Sequence, residues 1–192
     1  MRAAVFVRYH SGDGFGHVGW AFEIEDSVDA GSVENHSGHL FTPASEMGFW
    51  NGRFNNPVAE MRKRGYDDLK WAEVENADPL LAYRTVLWIE REAYKALHRN
   101  CEDDVYDVLR AYGLRNLAAP TLFWFPKSWF KRFRGTLEHL PEFGWPRPRY
   151  HGASIPAHDT AIKPWRPTWR RPWHPHFHAL KLRGLAQFLR RR

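Results

Sequence analysis

The chain has 192 residues, of which 43% are hydrophobic and ten are tryptophan. This length and composition predict one folded domain with its own core, plus an appendage. The single cysteine excludes an internal disulfide. Charge is unevenly distributed: residues 1–119 hold 13 Lys+Arg against 19 Asp+Glu, whereas residues 120–192 hold 15 against 3. The second part is therefore expected to meet anionic partners.

The first 41 residues have the pattern of a three-stranded antiparallel meander. Residues 3–9 are an apolar run of β-formers, and residues 17–25 form a second strand with a mixed apolar face. We expect a connecting turn at 26–31 and a third strand at 32–41. These segments predict an antiparallel sheet near the start of the domain.

Helix signals follow in the middle of the chain. Residues 42–66 are expected to be irregular, with helical potential around 57–65, and residues 69–75 alternate as a strand does. A helix should begin after Asp78, because Pro79 suits the first helical position.

The clearest helix pattern begins at Cys101. Asn100 is a favoured N-cap, three acidic residues fill the first turn, and Gly113 stands where a helix is expected to end. One more helix is expected within 120–140. The elements together predict an α+β domain over 1–140.

The remaining residues, 141–192, differ in composition from the domain. Residues 141–175 contain eight prolines with interleaved Trp, Arg and His, which predicts an extended or disordered basic arm. Its tryptophans and arginines suit an anionic membrane surface, and nucleic acid is the less favoured partner. Its alternating histidines are too few to predict a metal site.

Cys101 is the candidate nucleophile. A helix N-terminus stabilises a thiolate through its free N–H groups and the helix dipole, and an imidazole can act as the base. The acids at 102–104 oppose this effect because nearby carboxylates raise a thiol pKa. A lone cysteine is more commonly a small buried hydrophobic residue, but one placed beside a helix cap is less typical of a core position.

Residues 93–113, AYKALHRNCEDDVYDVLRAYG, and residues 16–24, GHVGWAFEI, carry a family resemblance. The first segment resembles the nucleophile segment of the permuted NlpC/P60 papain-like superfamily, and within it the lecithin retinol acyltransferase-like branch. The second is similar to the strand that bears the family's catalytic histidine, here His17. The resemblance covers residues 3–113 and implies a circularly permuted papain-like fold, because the histidine precedes the cysteine.

The resemblance also implies a third polar residue on the next strand, for which His39 and His36 are the candidates, with His39 favoured by the expected hairpin register. Asn100 and Tyr9 are candidates for support of the oxyanion or the site.

The implied activity is that of a thiol-dependent hydrolase or acyltransferase, with Cys101 as nucleophile and His17 as base. Its substrate would be a peptide, isopeptide or lipid ester, and no cofactor or metal is expected. The rival hypothesis is a noncatalytic papain-like module that binds anionic lipid or nucleic acid through its basic tail. Without a signal-peptide pattern or an apolar stretch of membrane-spanning length, a cytoplasmic or peripheral membrane location is expected.

Overall fold

The computed structural model describes residues 1–35, 47–92, 99–120, 125–140 and 163–167. Within these residues the fold is α+β, with a six-stranded antiparallel sheet and four helices. In chain order the elements are β1 (Arg2–Arg8), β2 (His17–Ile24), β3 (Ser27–Asn35), β4 (Met47–Phe54), α1 (Pro57–Lys63), β5 (Asp68–Glu73), α2 (Pro79–Arg91), α3 (Cys101–Tyr112), α4 (Pro126–Arg132) and β6 (Thr136–His139).

The sheet has the order β4-β3-β2-β1-β5-β6, and its two faces have different coverings. Strand side chains alternate between faces, so Val18 and Trp20 point to one side while Gly19 and Ala21 point to the other. The first face packs against α2, α3 and α4 in the larger hydrophobic cluster, which includes Cys101. The second face packs against α1 in a smaller cluster. The helices therefore bury both faces of β1 and β2.

The first hairpin differs from the sequence prediction. Its turn is made by two residues, Glu25 and Asp26, and the third strand begins at Ser27 rather than at residue 32. Glu25 takes the left-handed conformation, with φ of 53°. The predicted turn at 26–31 is therefore wrong. The hairpin register expected from that turn, which favoured His39 as the residue near His17, is wrong with it.

The sequence prediction also missed two strands. Residues 47–54, expected to be irregular, form β4 because all eight pair with β3. Residues 136–139 form β6 by pairing with β5. The strand predicted at 69–75 is confirmed as β5, which begins one residue earlier and ends two residues earlier, and the helix predicted around 57–65 is confirmed as α1.

The predicted boundaries of α3 are confirmed. The Asn100 side chain accepts hydrogen bonds from the N–H groups of Glu102 and Asp103, and Asp103 accepts one from the Asn100 N–H, which completes a capping box. Gly113 ends the helix with φ of 118°, a conformation that favours glycine. The helix is thus fixed at both ends by residues adjoining it in sequence.

Most of the predicted tail lies outside the described residues. Residues 163–167 carry no helix or strand, and the Trp165 N–H donates to the Arg84 carbonyl over 3.3 Å, which places this segment beside α2. Among the helices described, none combines the length and hydropathy needed to cross a bilayer.

Candidate functional site

The site lies where β2 and β3 separate. Their pairing runs from Ile24↔Ser27 to Trp20↔Gly31 and ends there. Beyond that point β2 stays paired with β1 as far as His17, and β3 stays paired with β4 as far as Asn35. The two strands thus form a fork whose polar backbone groups need other partners.

Two side chains supply those partners at Val18. The Ser32 hydroxyl donates to the Val18 carbonyl over 3.1 Å. The backbone of Val18 also acts on the Cys101 thiol and lowers its pKa. Cys101 and Ser32 therefore both lie close to Val18, the residue of β2 that follows His17.

Cys101 reaches the fork from the helix-rich face. It is the first residue of α3, belongs to the larger hydrophobic cluster and is 4% exposed. The N–H groups of Glu102 and Asp103 bond to the Asn100 side chain, and that of Asp104 to the Asn100 carbonyl. Within the described part of the chain, the N–H of Cys101 has no such partner.

The resting form of Cys101 is the neutral thiol. Burial raises its pKa to about 12, and the carboxylates of Glu102, Asp104 and Asp103 act in the same direction. The Val18 hydrogen bond acts against these effects but is outweighed. The thiolate stabilisation expected at a helix N-terminus is therefore absent at rest, and attack by Cys101 requires removal of a proton.

His17 belongs to the other face of the sheet. Its Nε2 lies 2.7 Å from the Ser32 hydroxyl oxygen, and its ring lies 5.9 Å from that of Tyr66. Burial, followed by the positive charge of Arg8, holds the pKa of His17 well below its usual value. The imidazole is therefore neutral at physiological pH, and its lowered pKa makes it a weaker base than an exposed histidine.

Tyr66 closes the fork on the His17 side. Its hydroxyl lies where a side chain on Gly19 would begin, 3.0 Å from the position of that missing Cβ. The hydroxyl is buried beside Ser32, and a hydrogen bond with that side chain lowers the pKa of Tyr66, against the larger effect of burial. Burial raises the pKa of Tyr66, so it remains a neutral donor. Sequence reasoning did not identify this residue.

A charged network borders His17 and Tyr66. Arg8 donates to the Arg64 carbonyl over 3.2 Å and lies 3.8 Å from the Glu34 carboxylate. Glu34 also accepts from the Trp50 indole over 2.9 Å. Arg64 stacks on Trp50 with 3.6 Å between its Cζ and the ring centroid. These contacts fix the position of the positive charge that acts on His17.

The two predicted support residues have defined partners. Asn100 caps α3, so its side-chain oxygen is already occupied by two helix N–H groups. The Tyr9 hydroxyl donates to Asp68 over 2.6 Å, and the Tyr9 ring meets Phe130 edge-on. Tyr9 is thus held toward β5 and α4, and its described contacts do not include His17 or Cys101.

The predicted third residues, His36 and His39, lie outside the described residues, so their role stays a prediction. Among the described residues of β3, Ser32 lies beside His17, with its hydroxyl oxygen 2.7 Å from Nε2. A two-residue hairpin at Glu25 would have revealed it, since that register sets residue 32 opposite Gly19, on the face of the sheet that also carries His17.

In the described ranges there is no group of three or more His, Cys, Asp or Glu side chains arranged to hold a metal ion. Comparisons of the chain with protein-family models, with curated proteins and with solved structures found no match.

Proposed function

We propose that the chain is a thiol-dependent hydrolase or acyltransferase with a permuted papain-like fold, in which Cys101 is the nucleophile and His17 the base. The observation that carries the proposal is that both residues adjoin the fork. The backbone of Val18 acts on the Cys101 thiol, and the preceding residue of β2, His17, is a neutral buried imidazole on the opposite face of the sheet. The order of these residues along the chain agrees with the resemblance to the permuted NlpC/P60 superfamily.

The protonation states exclude a resting thiolate–imidazolium pair, so the proposed proton transfer must be concerted with attack. Because both groups are neutral at rest, the proton leaves Cys101 for His17 as the sulfur attacks, as in serine hydrolases. The new S–C bond gives a tetrahedral oxyanion, which the Cys101 N–H can stabilise. His17 then gives the proton to the leaving group as the scissile bond breaks.

The acyl-enzyme is resolved by the reverse sequence. Water or an acceptor amine or hydroxyl attacks the thioester carbonyl while His17 takes its proton, and Cys101 leaves and recovers that proton. The substrate would be a peptide, isopeptide or lipid ester. A basic tail at 141–192 favours a substrate near an anionic membrane surface.

The test is acyl-enzyme formation with a panel of p-nitrophenyl esters of short and long acyl chains. Intact mass spectrometry should show one acyl group on the wild-type chain, located at residue 101 and absent in Cys101→Ala. His17→Ala should slow acylation by about 100-fold or more. His139→Ala is the matched control, because this histidine contacts Asp68 through its Nδ1, 2.7 Å away, at the other side of the sheet.

One observation favours a second candidate, a noncatalytic papain-like module that binds anionic lipid through its tail. A thiol with a pKa of about 12 and 4% exposure is also what a structural cysteine has. If no acyl adduct forms at Cys101, or if His17→Ala acylates at the wild-type rate, this module becomes the better proposal. Salt-sensitive binding to phosphatidylserine vesicles, weakened by Arg166→Gln and Arg170→Gln together, would then support it.

A further inference from the structure

We propose that Ser32 is the positioning residue for His17 and fixes its Nε2–H tautomer, so that Nδ1 is the basic nitrogen. This inference rests on the proposed function and names a residue that the family resemblance did not assign. Its basis is a chain of two hydrogen bonds, from His17 Nε2 to Ser32 at 2.7 Å and from Ser32 to the Val18 carbonyl at 3.1 Å.

The donor and acceptor roles in these two hydrogen bonds follow from the Val18 carbonyl. A carbonyl oxygen accepts hydrogen bonds and cannot donate, so the single hydroxyl proton of Ser32 points to Val18. The Ser32 oxygen is then left as an acceptor toward His17, and Nε2 must carry the proton. The neutral imidazole has one N–H, so Nδ1 holds the free lone pair.

The opposite arrangement, in which Ser32 donates to His17, would cost free energy at the fork. If Ser32 donated to His17 instead, the Val18 carbonyl would lose its hydroxyl donor at the point where pairing between β2 and β3 has ended. Ser32 is fully buried and His17 is 6% exposed. A buried polar group that loses its partner keeps the whole cost of desolvation, so the fork favours a single tautomer.

The arrangement also assigns separate tasks to the two ring nitrogens. Nε2 is held by the protein, and the proton that Cys101 releases must go to Nδ1. The protonated imidazole can still donate from Nε2 to Ser32, so the ring keeps its orientation throughout the reaction. The Ser32 hydroxyl, held by the Val18 carbonyl, therefore orients the imidazole of His17, as a carboxylate or a second imidazole does in other triads.

The test is long-range proton–nitrogen NMR of the full chain labelled with ¹⁵N-histidine, with the His17 signals assigned by their loss in His17→Ala. Wild type should show the Nε2–H tautomer near neutral pH. Ser32→Ala should give a mixture of tautomers and slow Cys101 acylation by about tenfold, the effect of one neutral hydrogen bond. Ser32→Thr keeps the hydroxyl and should restore both.

Ser27→Ala is the matched control, because it removes another β3 hydroxyl, one that donates to the Ile24 carbonyl over 3.1 Å at the far end of the strand pair. The His17 tautomer in this variant should match that of the wild-type protein. An Nδ1–H tautomer in wild type overturns the Ser32 assignment even if Ser32→Ala does not fold, and so does an unchanged single tautomer in a folded Ser32→Ala. An acylation rate that is insensitive to His17→Ala overturns the proposed function instead, so the two failures are distinguishable.

Discussion

The two faces of the sheet provide opposite environments for the two groups of the site. Cys101 comes from the face covered by α2, α3 and α4, where its neighbours are largely apolar. His17 lies on the α1 face, beside Tyr66, Ser32 and the Arg8–Glu34 pair. One group is kept neutral mainly by loss of water, and the other by loss of water together with a nearby cation.

This difference shows why the fork matters. Consecutive strand residues point to opposite faces, so a group from the helix-rich face and one from the α1 face would ordinarily be separated by the sheet. Where β2 and β3 part, the backbone of Val18 is shared between Cys101 and Ser32 instead of being used in the ladder. The fork is therefore the place where residues from both faces of the sheet adjoin one stretch of β2 backbone.

The largest expected effect tests whether the helix-rich face is a packed core. Leu109→Ala removes a fully buried side chain of α3 and should lower the free energy of unfolding by about 2–5 kcal/mol. Leu80→Ala, at a position 47% exposed on α2, should change it by no more than about 0.5 kcal/mol. Urea denaturation measures both. Equal losses would mean that the two leucines are equally buried, against the structure.

The next effect concerns a buried acid in β3. Asp29 is fully buried, accepts from the Asn51 amide over 3.0 Å, and has its pKa raised to about 7 by burial. An acid with a raised folded-state pKa stabilises the fold at low pH, and this stability is lost between the unfolded value near 3.9 and about 7. The free energy of unfolding should fall by roughly 1 kcal/mol per pH unit across that window.

Asp29→Asn should remove this slope, and urea denaturation at several pH values measures it. Asp26→Asn, in the exposed turn of the same hairpin, is the control and should keep the wild-type slope. If wild type and Asp29→Asn have parallel stability curves between pH 4 and pH 7, the carboxyl is ionised in the folded protein and its described environment is incorrect.

A smaller loss is expected at the cap that holds Cys101 at the helix start. Asn100→Ala leaves two N–H groups without their side-chain acceptor and should lower the free energy of unfolding by about 1–2 kcal/mol. Asn100→Asp supplies another acceptor and should retain most of the stability. Chemical denaturation distinguishes the three proteins, and an alanine variant as stable as wild type would exclude a capping role.

The smallest expected effect tests the electrostatic environment of His17 on its face of the sheet. Arg8→Met removes the positive charge that acts on His17, so the pKa of His17 should rise. It should remain below its usual value, because burial is the larger cause and is still present. Histidine NMR titration measures the change. Arg53→Met removes a cation that pairs instead with Glu25 at the hairpin turn, and it should leave the His17 titration unaltered.

The parts of the fold that sequence predicted well depend on adjoining residues. The start and end of α3 follow from Asn100 and Gly113, whose cap geometry involves residues at most a few positions away. The start of α2 follows in the same way from Asp78 and Pro79. Such local rules also placed Cys101 at the first turn of a helix and His17 at the start of a strand.

The first hairpin was mispredicted because its local signals are misleading. Residues 29–31, Asp-Ala-Gly, are typical of a turn, yet Asp29 is a buried strand residue that the Asn51 amide accommodates. The real turn uses Glu25 with a positive φ, which is uncommon for a residue with a long side chain. The contact that accommodates the buried Asp29 comes from Asn51 in β4, which is distant in sequence.

Local sequence patterns were enough to place Cys101 and His17 on their own elements, because caps and strand patterns act over a few residues. Only the three-dimensional fold shows that β2 and β3 part at Val18, that the Ser32 hydroxyl lies 2.7 Å from His17 Nε2, and that both candidate groups are neutral. Those outcomes depend on burial, on strand pairing and on charges brought together from separate parts of the chain, and no local pattern encodes them.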